Sequence, residues 1–403
     1  MKKKELLAGR KKLLEEIAAL REENLQMRRR LAELPEAIPE PPVPDGPEEE
    51  IAPQHQFSRF PILRSVDERY NSGIRNQEAG GGGEDGNNIS LAALAAHLRG
   101  YAAAHYGLCA PPDVFASLLG AMAVSDWIVL HGEKTAALPQ AVAAALGQEA
   151  HLIPAHQSLL GSQDAVTKLY NETRLLRVLY EASYQPGPCF AVLDGRASPD
   201  EYTRLLQAAQ TKPSALRLAA DAWPGDPILL HEGALNFPEN LWLFCTGEGG
   251  AVESPMRLYI YTEGAIKEAA AEIPYAARPL ALSAARLRTL LLAAAEEYPV
   301  PDGLAAKIAR TAAYLAERLD VSMDAKTERQ MTRFMGVCLA CGLAPENALD
   351  AFFYHKALRR MEHADPFLLR YELAGFRRFL DETFGKHGMP LTRAFTNNLQ
   401  KND

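Results

Sequence analysis

Short apolar runs alternate with helical segments along the middle of this 403-residue chain. Runs of this length, rich in β-branched and aromatic residues, predict buried strands. Helices between such strands favour a parallel sheet with helices on its faces. From about residue 282 onward only helical periodicity remains. The predicted strands are WIVL (127–130), one that begins in HLIPA (151–155), CFAVLD (189–194), LWLFCT (241–246) and RLYIYT (257–262).

The change of pattern along the chain predicts two folded parts. The alternating part is an α/β domain over residues 88–280, and the purely helical part is a lid subdomain over residues 281–403. Within the first part, TKLYNETRLLRVLYEASY (167–184) reads as a helix that connects two strands.

A heptad repeat occupies residues 1–34. Leucine or methionine recurs every seven residues from Leu6 to Leu34, and Asn24 lies at a central position of the second series. An apolar seam with one buried Asn is typical of a two-stranded coiled coil. A single amphipathic helix packed on its own domain is the alternative. We expect self-association through Leu6–Leu34.

Residues 35–87 have the composition of a linker. Seven prolines fall between residues 35 and 53, and four glycines occupy positions 80–83. Such a segment is stiff where proline dominates and flexible where glycine does, which predicts disorder. FSRFPIL (57–63) is the exception, and we weigh a transient cluster against a short docking motif.

Polar residues follow three of the predicted strands. Asp194 ends its strand and is followed by Gly195, and Thr246 ends LWLFCT. The sequence His131-Gly132-Glu133-Lys134-Thr135 follows WIVL. A strand–loop–helix, a strand that ends in Asp, a strand that ends in polar residues and then a helical part resemble the layout of a P-loop ATPase of the AAA+ class. The resemblance makes Gly132, Lys134, Thr135, Asp194 and Thr246 the candidates for a nucleotide site.

Six segments follow one another along the chain: YAAAHYGLCAPPDVFASLLGAMAVSDWIVLHG, IPAHQSLLGSQD, LDGRASPDEYTRLLQAA, FPENLWLFCTGEGG, KTERQMTRFMGVCLACG and FLLRYELAGFRRFLDETFGKHGMPLTRA. In this order they resemble the McrB-like branch of the AAA+ P-loop ATPases. The resemblance covers residues 88 to about 400 and implies an AAA+ fold, ring-like assembly, and a site for ATP with Mg²⁺.

The phosphate-binding loop departs from the family pattern. A working loop reads GxxxxGK[ST], because its backbone N–H groups wrap the phosphates while Lys and Ser/Thr reach the terminal phosphate and Mg²⁺. Here Gly132, Lys134 and Thr135 survive, but the loop is about four residues short of that motif. Glu133 adds a negative charge where a triphosphate would sit. A plain strand–turn–helix is the alternative interpretation.

The other motifs depart in the same direction. Asp194 remains as a Mg²⁺ ligand, but Gly195 replaces the glutamate that positions the attacking water. Glu248 stands near the position of the family's sensor 1 asparagine, and a carboxylate repels a triphosphate. The resemblance makes Arg329 a sensor 2 arginine and Arg257 an arginine finger, although both could be ordinary salt-bridging arginines.

Composition restricts the partners. The net charge of −8 argues against nucleic acid as the main partner, because nucleic acid binds a basic stripe, although this average leaves room for a local basic face. No apolar run approaches 18 residues, so we expect no membrane span. Five cysteines suit a reducing compartment, and we expect a cytoplasmic protein. Cys338 and Cys341 have CxxC spacing, but a zinc site needs more ligands, so we expect buried free thiols.

These observations lead to one hypothesis and one alternative. The hypothesis is a degenerate, non-hydrolysing AAA+-like protein without a bound cofactor, which acts as an oligomeric assembly, scaffold or regulatory subunit. It would self-associate or bind a protein partner such as an active AAA+ subunit, and no residue is assigned as catalytic. The alternative is an ATP-binding AAA+ motor, linked to nucleic acid, whose site is completed by a neighbouring subunit.

Overall fold

The computed structural model describes residues 58–72, 88–132, 135–155, 157–167, 169–195, 199–210, 214–220, 225–246, 256–260, 278–363 and 366–401. All of them belong to one compact unit, His55–Asp403. The coiled coil predicted for residues 1–34 lies outside the described residues.

A five-stranded parallel sheet forms the centre of this unit, in the order β10-β1-β9-β5-β2. The remaining strands form a two-stranded hairpin, β3-β4, and a small antiparallel sheet, β6-β8-β7. The strands are β1 Trp127–Gly132, β2 Ala150–Pro154, β3 Ser162–Gln163, β4 Tyr170–Asn171, β5 Cys189–Asp194, β6 Ala215–Arg217, β7 Leu230–His231, β8 Ala234–Asn236, β9 Leu241–Cys245 and β10 Met256–Ile260.

Twelve α-helices are seen in the described part of the chain, with a 3₁₀ helix at Ala357–His363. Several begin at the side chain that their sequence provides as an N-cap: Ser90, Thr173, Ser283 and Asp324 each accept a hydrogen bond from a first-turn N–H. The helices are α1 Pro61–Asn71, α2 Leu91–Tyr106, α3 Pro112–Val124, α4 Ala137–Ala145, α5 Arg174–Ala182, α6 Pro199–Gln210, α7 Ala284–Glu297, α8 Asp302–Leu319, α9 Ala325–Ala340, α10 Pro345–His355, α11 Pro366–Phe384 and α12 Pro390–Lys401.

The two faces of the sheet belong to two separate apolar cores. In β1, Ile128 and Leu130 point into one core, while Trp127 and Val129 point into the other. β5 and β9 alternate in the same way, as the period of two in a strand requires. We call the side covered by α2–α4 the first face and the side covered by α1, α5, α6 and β6–β8 the second face.

The C-terminal helices share the core of the first face. Buried residues of α7–α12 are in one cluster with those of α2–α4. Glycines bring the helices close together. A Cβ on Gly120 of α3 would lie 2.9 Å from the ring of Phe334 in α9. A Cβ on Gly336 of α9 would lie 2.7 Å from the Cα of Ala295 in α7. The helical part and the α/β part are thus packed as one body on this face.

Two sequence predictions need correction. The linker predicted over residues 35–87 is wrong for its described part, because residues 61–71 form helix α1, and Phe60, Leu63 and Val66 are fully buried on the second face. Burial of apolar surface on the folded domain outweighs the flexible composition around it. The helix predicted over 167–184 begins only at Arg174, since Tyr170–Asn171 pairs with β3 as a strand.

Candidate functional site

The strand order locates a crevice at one edge of the sheet. The chain leaves β1 towards β2 on one side, whereas it leaves the adjacent strand β9 towards β10 on the other side. Ligands of open α/β sheets bind outside the carboxyl ends of the strands at such a switch point. The carboxyl ends of β1, β9 and β5 therefore define the candidate site.

Asp194 and Thr246 meet at this edge. The hydroxyl of Thr246 donates a hydrogen bond of 2.8 Å to Oδ1 of Asp194. The backbone also joins the two strand ends, because the N–H of Thr246 donates to the carbonyl of Leu193 at 3.0 Å. Asp194 is exposed. The carboxylate is thus oriented by a neighbour and still open to solvent.

Gly195 turns the chain directly after this aspartate. Its φ is +96°, a backbone conformation that side-chain-bearing L residues rarely adopt. A Cβ built on Gly195 would meet nothing within 4 Å, so space is not what selects glycine here. The requirement for glycine at this position comes from the backbone.

A carboxylate from helix α6 holds the loop between β2 and β3 in place. Glu201, in the first turn of α6, accepts hydrogen bonds from the Ser158 hydroxyl at 2.7 Å and from the backbone N–H groups of Leu159 and Leu160. Burial raises the pKa of Glu201, but these hydrogen bonds outweigh burial, and its pKa lies below the ordinary value. Glu201 therefore acts as a loop anchor in its ionised form.

The glycine of the Leu-Leu-Gly stretch closes the same loop. Gly161 has a φ of +68°, and a Cβ there would lie 2.0 Å from the carbonyl oxygen of Asn171. Any side chain would therefore collide with the β3–β4 hairpin. The motif that supports the family resemblance thus has a local structural reason in this chain.

The remaining candidates are distributed as follows. Gly132 ends β1 at the switch point, and Thr135 is buried shortly before α4. Lys134 and its neighbour Glu133 lie outside the described residues, as does Glu248. Arg329 is exposed on α9 and, within the described part of the chain, makes no hydrogen bond or ion pair with the residues at the strand ends.

Arg257 lies on the edge strand β10 with its backbone in register with Val129 of β1. That register places it well before the carboxyl edge, where Gly132 pairs with Ile260. Its side chain is not among those described. The interpretations of Arg257 and Arg329 as arginines of an ATPase site stay predictions.

The two cysteines of the CxxC pair differ in burial, since Cys338 is buried and Cys341 is partly exposed. Cys338 and Cys341 form no disulfide, and their sulfur atoms lie 3.6 Å and 3.7 Å from the carbonyl oxygens of Ala116 and Leu91. Burial raises the pKa of Cys341 to about 12, so it stays a thiol. Among the residues that the structure describes, no three His, Cys, Asp or Glu side chains form a metal-binding group.

Sequence reasoning missed three carboxylates with buried or hydrogen-bonded roles, Asp67, Glu172 and Glu201. No local signal pointed to Glu201 as a loop anchor, because the N–H groups that it binds lie about 40 residues earlier in the chain. Asp67 and Glu172 carried no local signal either, because their partners are more than 100 residues away in the chain.

Comparisons with known proteins add little. No protein-family model matches the chain, and no curated protein matches it. Among solved structures, the chain is similar to a protein from Cytophaga hutchinsonii ATCC 33406 that is provisionally described as an ATPase. The identity is 10%, the TM-score is 0.40, and the match covers 76% of this chain and 97% of the other. A TM-score this low establishes neither a shared family nor a shared function.

None of the described helices is long and apolar enough to cross a membrane.

Proposed function

We propose that this protein is a non-hydrolysing AAA+-like subunit that serves in assembly, as a scaffold or as a regulatory subunit. The observation that carries the proposal is the φ of +96° at Gly195, directly after Asp194. The resemblance implies that an active relative has a glutamate here, which positions the attacking water. In this chain the backbone suits glycine and strains any residue that carries a carboxylate.

Two further observations argue against tight phosphate binding. Thr246 already donates to the Asp194 carboxylate, so a cation would share that group with a hydrogen bond. The sequence between Gly132 and Thr135 holds only two residues, one of them acidic, where a phosphate cradle needs a longer glycine-rich loop. Both features favour a fold whose role is to bind other protein subunits and not to bind or hydrolyse nucleotide.

The proposed assembly has two kinds of contact. The Leu6–Leu34 heptad would join copies of the chain or bind a partner with a matching heptad, and the α/β body would contribute ring contacts of the AAA+ type. The protein partner would be another copy or a catalytically intact AAA+ subunit. We propose a cytoplasmic protein that carries no cofactor and does not bind nucleic acid.

One observation favours a second candidate function. The Asp194 carboxylate is exposed at the switch point, where a nucleotide with Mg²⁺ would bind. A carboxylate and a hydroxyl are oxygen donors of the kind that Mg²⁺ takes, with water and phosphate oxygens completing its shell. The chain would then bind ATP, with Asp194 and Thr246 near the metal. Residues of a neighbouring subunit would complete a motor.

Equilibrium binding of a fluorescent ATP analogue to the full-length chain, with and without Mg²⁺, separates the two candidates. We expect no binding up to about 1 mM, where the binding free energy is only about −4 kcal/mol. Micromolar, Mg²⁺-dependent binding that is lost in Asp194→Asn and kept in the control Asp200→Asn would instead establish the second candidate. Light scattering should show a mass that is independent of nucleotide and of Lys134→Ala.

Restoring the missing carboxylate tests the observation at Gly195 directly. We expect Gly195→Glu to show no ATP hydrolysis and to lower the free energy of unfolding by about 1 kcal/mol, because of the positive φ. Gly303→Glu is the matched control, since a Cβ at Gly303 also meets nothing within 4 Å but no positive φ is found there. Hydrolysis by the Gly195→Glu chain would show that the chain binds ATP and would contradict the proposal that it carries no cofactor. Hydrolysis by the unmodified chain would contradict the proposal that it is non-hydrolysing.

A further inference from the structure

Residues 58–72, which we call the arm, lie on the second face like a peptide in a groove. Phe60, Leu63 and Val66 are fully buried at a spacing of three residues, whereas Ser65 and Glu68 are exposed. This spacing is typical of a helix that places one apolar side in a groove. Phe60 stacks on Tyr170 of β4 with a centroid distance of 4.8 Å.

Asp67 is the central polar anchor of the arm. It is 3% exposed, and its carboxylate accepts hydrogen bonds from the hydroxyls of Tyr180 and Tyr184 at 2.5 and 2.6 Å and from the backbone N–H of Ile228 at 2.9 Å. Burial and the bond to Asp67 raise the pKa of Tyr184 to about 12, so this phenol remains a donor. Both carboxylate oxygens are thus satisfied by the groove.

Glu172 anchors the beginning of the arm helix. No side chain within α1 caps its N-terminus. Instead, the carboxylate of Glu172 accepts hydrogen bonds of 2.7 Å from the N–H groups of both Ile62 and Leu63. The groove thereby supplies the cap and the negative charge that a helix N-terminus favours.

Arg59 anchors the arm from the residue before Phe60. Its guanidinium donates to both carboxylate oxygens of Asp226, and both side chains are more than nine-tenths buried. Arg64 adds a hydrogen bond of 2.9 Å to the carbonyl of Gly225. A two-point arginine–carboxylate contact is directional as well as strong, so it sets the position of the arm along the groove.

We propose that this groove is a binding site for an amphipathic helix, that the arm is its internal ligand, and that the arm detaches and rebinds as a unit. The hydrogen bonds and ion pairs named above join the arm to described residues between 170 and 228, far from the arm in sequence. A partner for the empty groove would be a helix with three apolar residues spaced as Phe60, Leu63 and Val66. An arginine would precede the first, and an aspartate would follow the third. The inference does not depend on whether the chain binds or hydrolyses nucleotide.

The arm is also connected to the loop beside the candidate site. Tyr170, which stacks on Phe60, donates a hydrogen bond of 2.9 Å to the carbonyl of Leu160. The N–H of Leu160 in turn donates to Glu201 at the start of α6. Detachment of the arm removes the packing partner of Tyr170, so loop 158–161 should loosen at the same time.

Hydrogen exchange of the full-length chain, followed by mass spectrometry, tests the proposal. We expect arm amides to exchange faster than amides of α3 in the unmodified protein, because the arm opens without global unfolding. Asp67→Asn should accelerate exchange in the arm roughly tenfold or more and accelerate loop 158–161 as well, with α3 unchanged. Glu68→Gln, which removes only an exposed ion pair with Arg64, should change the exchange rates by much less than tenfold.

A peptide of residues 58–72 tests the binding site itself. The tethered arm competes at a high effective concentration, so the labelled peptide should bind Asp67→Asn at least tenfold more tightly than the unmodified chain. A peptide that carries Asp67→Asn is the matched control and should bind less tightly.

Equal exchange of the arm and α3, in the unmodified chain and across a series of low urea concentrations, would overturn the proposal. In that case the arm would open only when the whole domain unfolds. This measurement needs no variant, so it stays decisive if Asp67→Asn does not fold. Because neither readout involves ATP, the two proposals fail independently.

Discussion

Each face of the sheet has its own apolar core, but the two faces differ in what holds the segments at their edges. On the first face, α2–α4 and the C-terminal helices form one apolar cluster in which Gly120 and Gly336 allow close contact between helices. On the second face, buried or partly buried carboxylates such as Asp67, Glu172 and Glu201 hold separate pieces in place. Apolar contact is non-directional and stabilises all the helices that share it. A hydrogen bond is directional, so each one fixes the position of one chain segment.

This difference suggests different cooperativity on the two faces. A continuous core loses packing everywhere when one helix leaves it, so its helices should unfold together. A piece held mainly by a few hydrogen bonds and one apolar stripe can leave at the cost of those contacts alone. The three predictions below test whether the first face responds as a whole and the second face piece by piece.

The largest expected effect is that of Gly336→Val on the first face. The new Cβ would lie 2.7 Å from the Cα of Ala295 and 2.8 Å from the carbonyl oxygen of Ala294, and backbone atoms cannot rotate away. We expect the free energy of unfolding to fall by about 3 kcal/mol, measured by urea denaturation. Exchange should accelerate in all first-face helices together.

Gly303→Ala in α8 is the matched control for that variant, since its Cβ meets nothing within 4 Å. We expect it to raise the free energy of unfolding by about 0.5–1 kcal/mol, because alanine has the better helix propensity. Faster exchange in α9 alone after Gly336→Val would show that the first face is not one cooperative unit.

An intermediate effect is expected for Phe60→Ala in the arm. Removing a buried phenylalanine ordinarily costs about 3–5 kcal/mol. Here the cost should stop at the free energy with which the arm binds, about 2 kcal/mol if it resembles a local opening. The double variant Phe60→Ala/Leu63→Ala should therefore lose no more than the single one in urea denaturation. Additive losses would mean that the arm unfolds only with the domain.

The smallest effect is expected for Glu201→Gln. The variant keeps the shape but loses the charge of the group that anchors loop 158–161, and Glu201 is partly solvated, so the cost should be about 1 kcal/mol or less. Because the folded protein lowers the pKa of Glu201, this contribution is present above the ordinary pKa and disappears as the pH falls through the lowered value. Urea denaturation at several pH values should show the difference shrinking in acid. Asp200→Asn, one residue earlier, should change nothing, and an equal loss there would point to the helix dipole instead of the loop.

The predictable part of the fold was the part set by local pattern. The five main strands were found because each is a short apolar run, and their alternation with helices predicted the parallel sheet. The contact between Asp194 and Thr246 was not predicted, because it depends on how the ends of two separate strands are placed. Helix α1 was missed because prolines and glycines surround it, although Phe60, Leu63 and Val66 already had helical spacing. Its stability comes from partners more than 100 residues away, which no local window contains.

The candidate site shows the same limit. The residue types at the strand ends could be read from the sequence, but the positive φ of Gly195 could not. Only the family resemblance implies a glutamate after Asp194, whereas the structure shows that the backbone itself favours glycine at position 195. The Leu-Leu-Gly loop is a similar case, because the sequence showed the motif but not the approach of the Asn171 carbonyl that requires Gly161.

The shared core of the first face also has a consequence for movement. Helix α3 precedes β1 in the chain, yet it packs tightly on α9, which belongs to the C-terminal helices. Rotating those helices as a rigid body about a hinge would separate Phe334 from Gly120 and expose apolar surface to water. Large domain rotation is therefore expensive in this chain, and a signal that crosses it would have to travel by small displacements between packed helices.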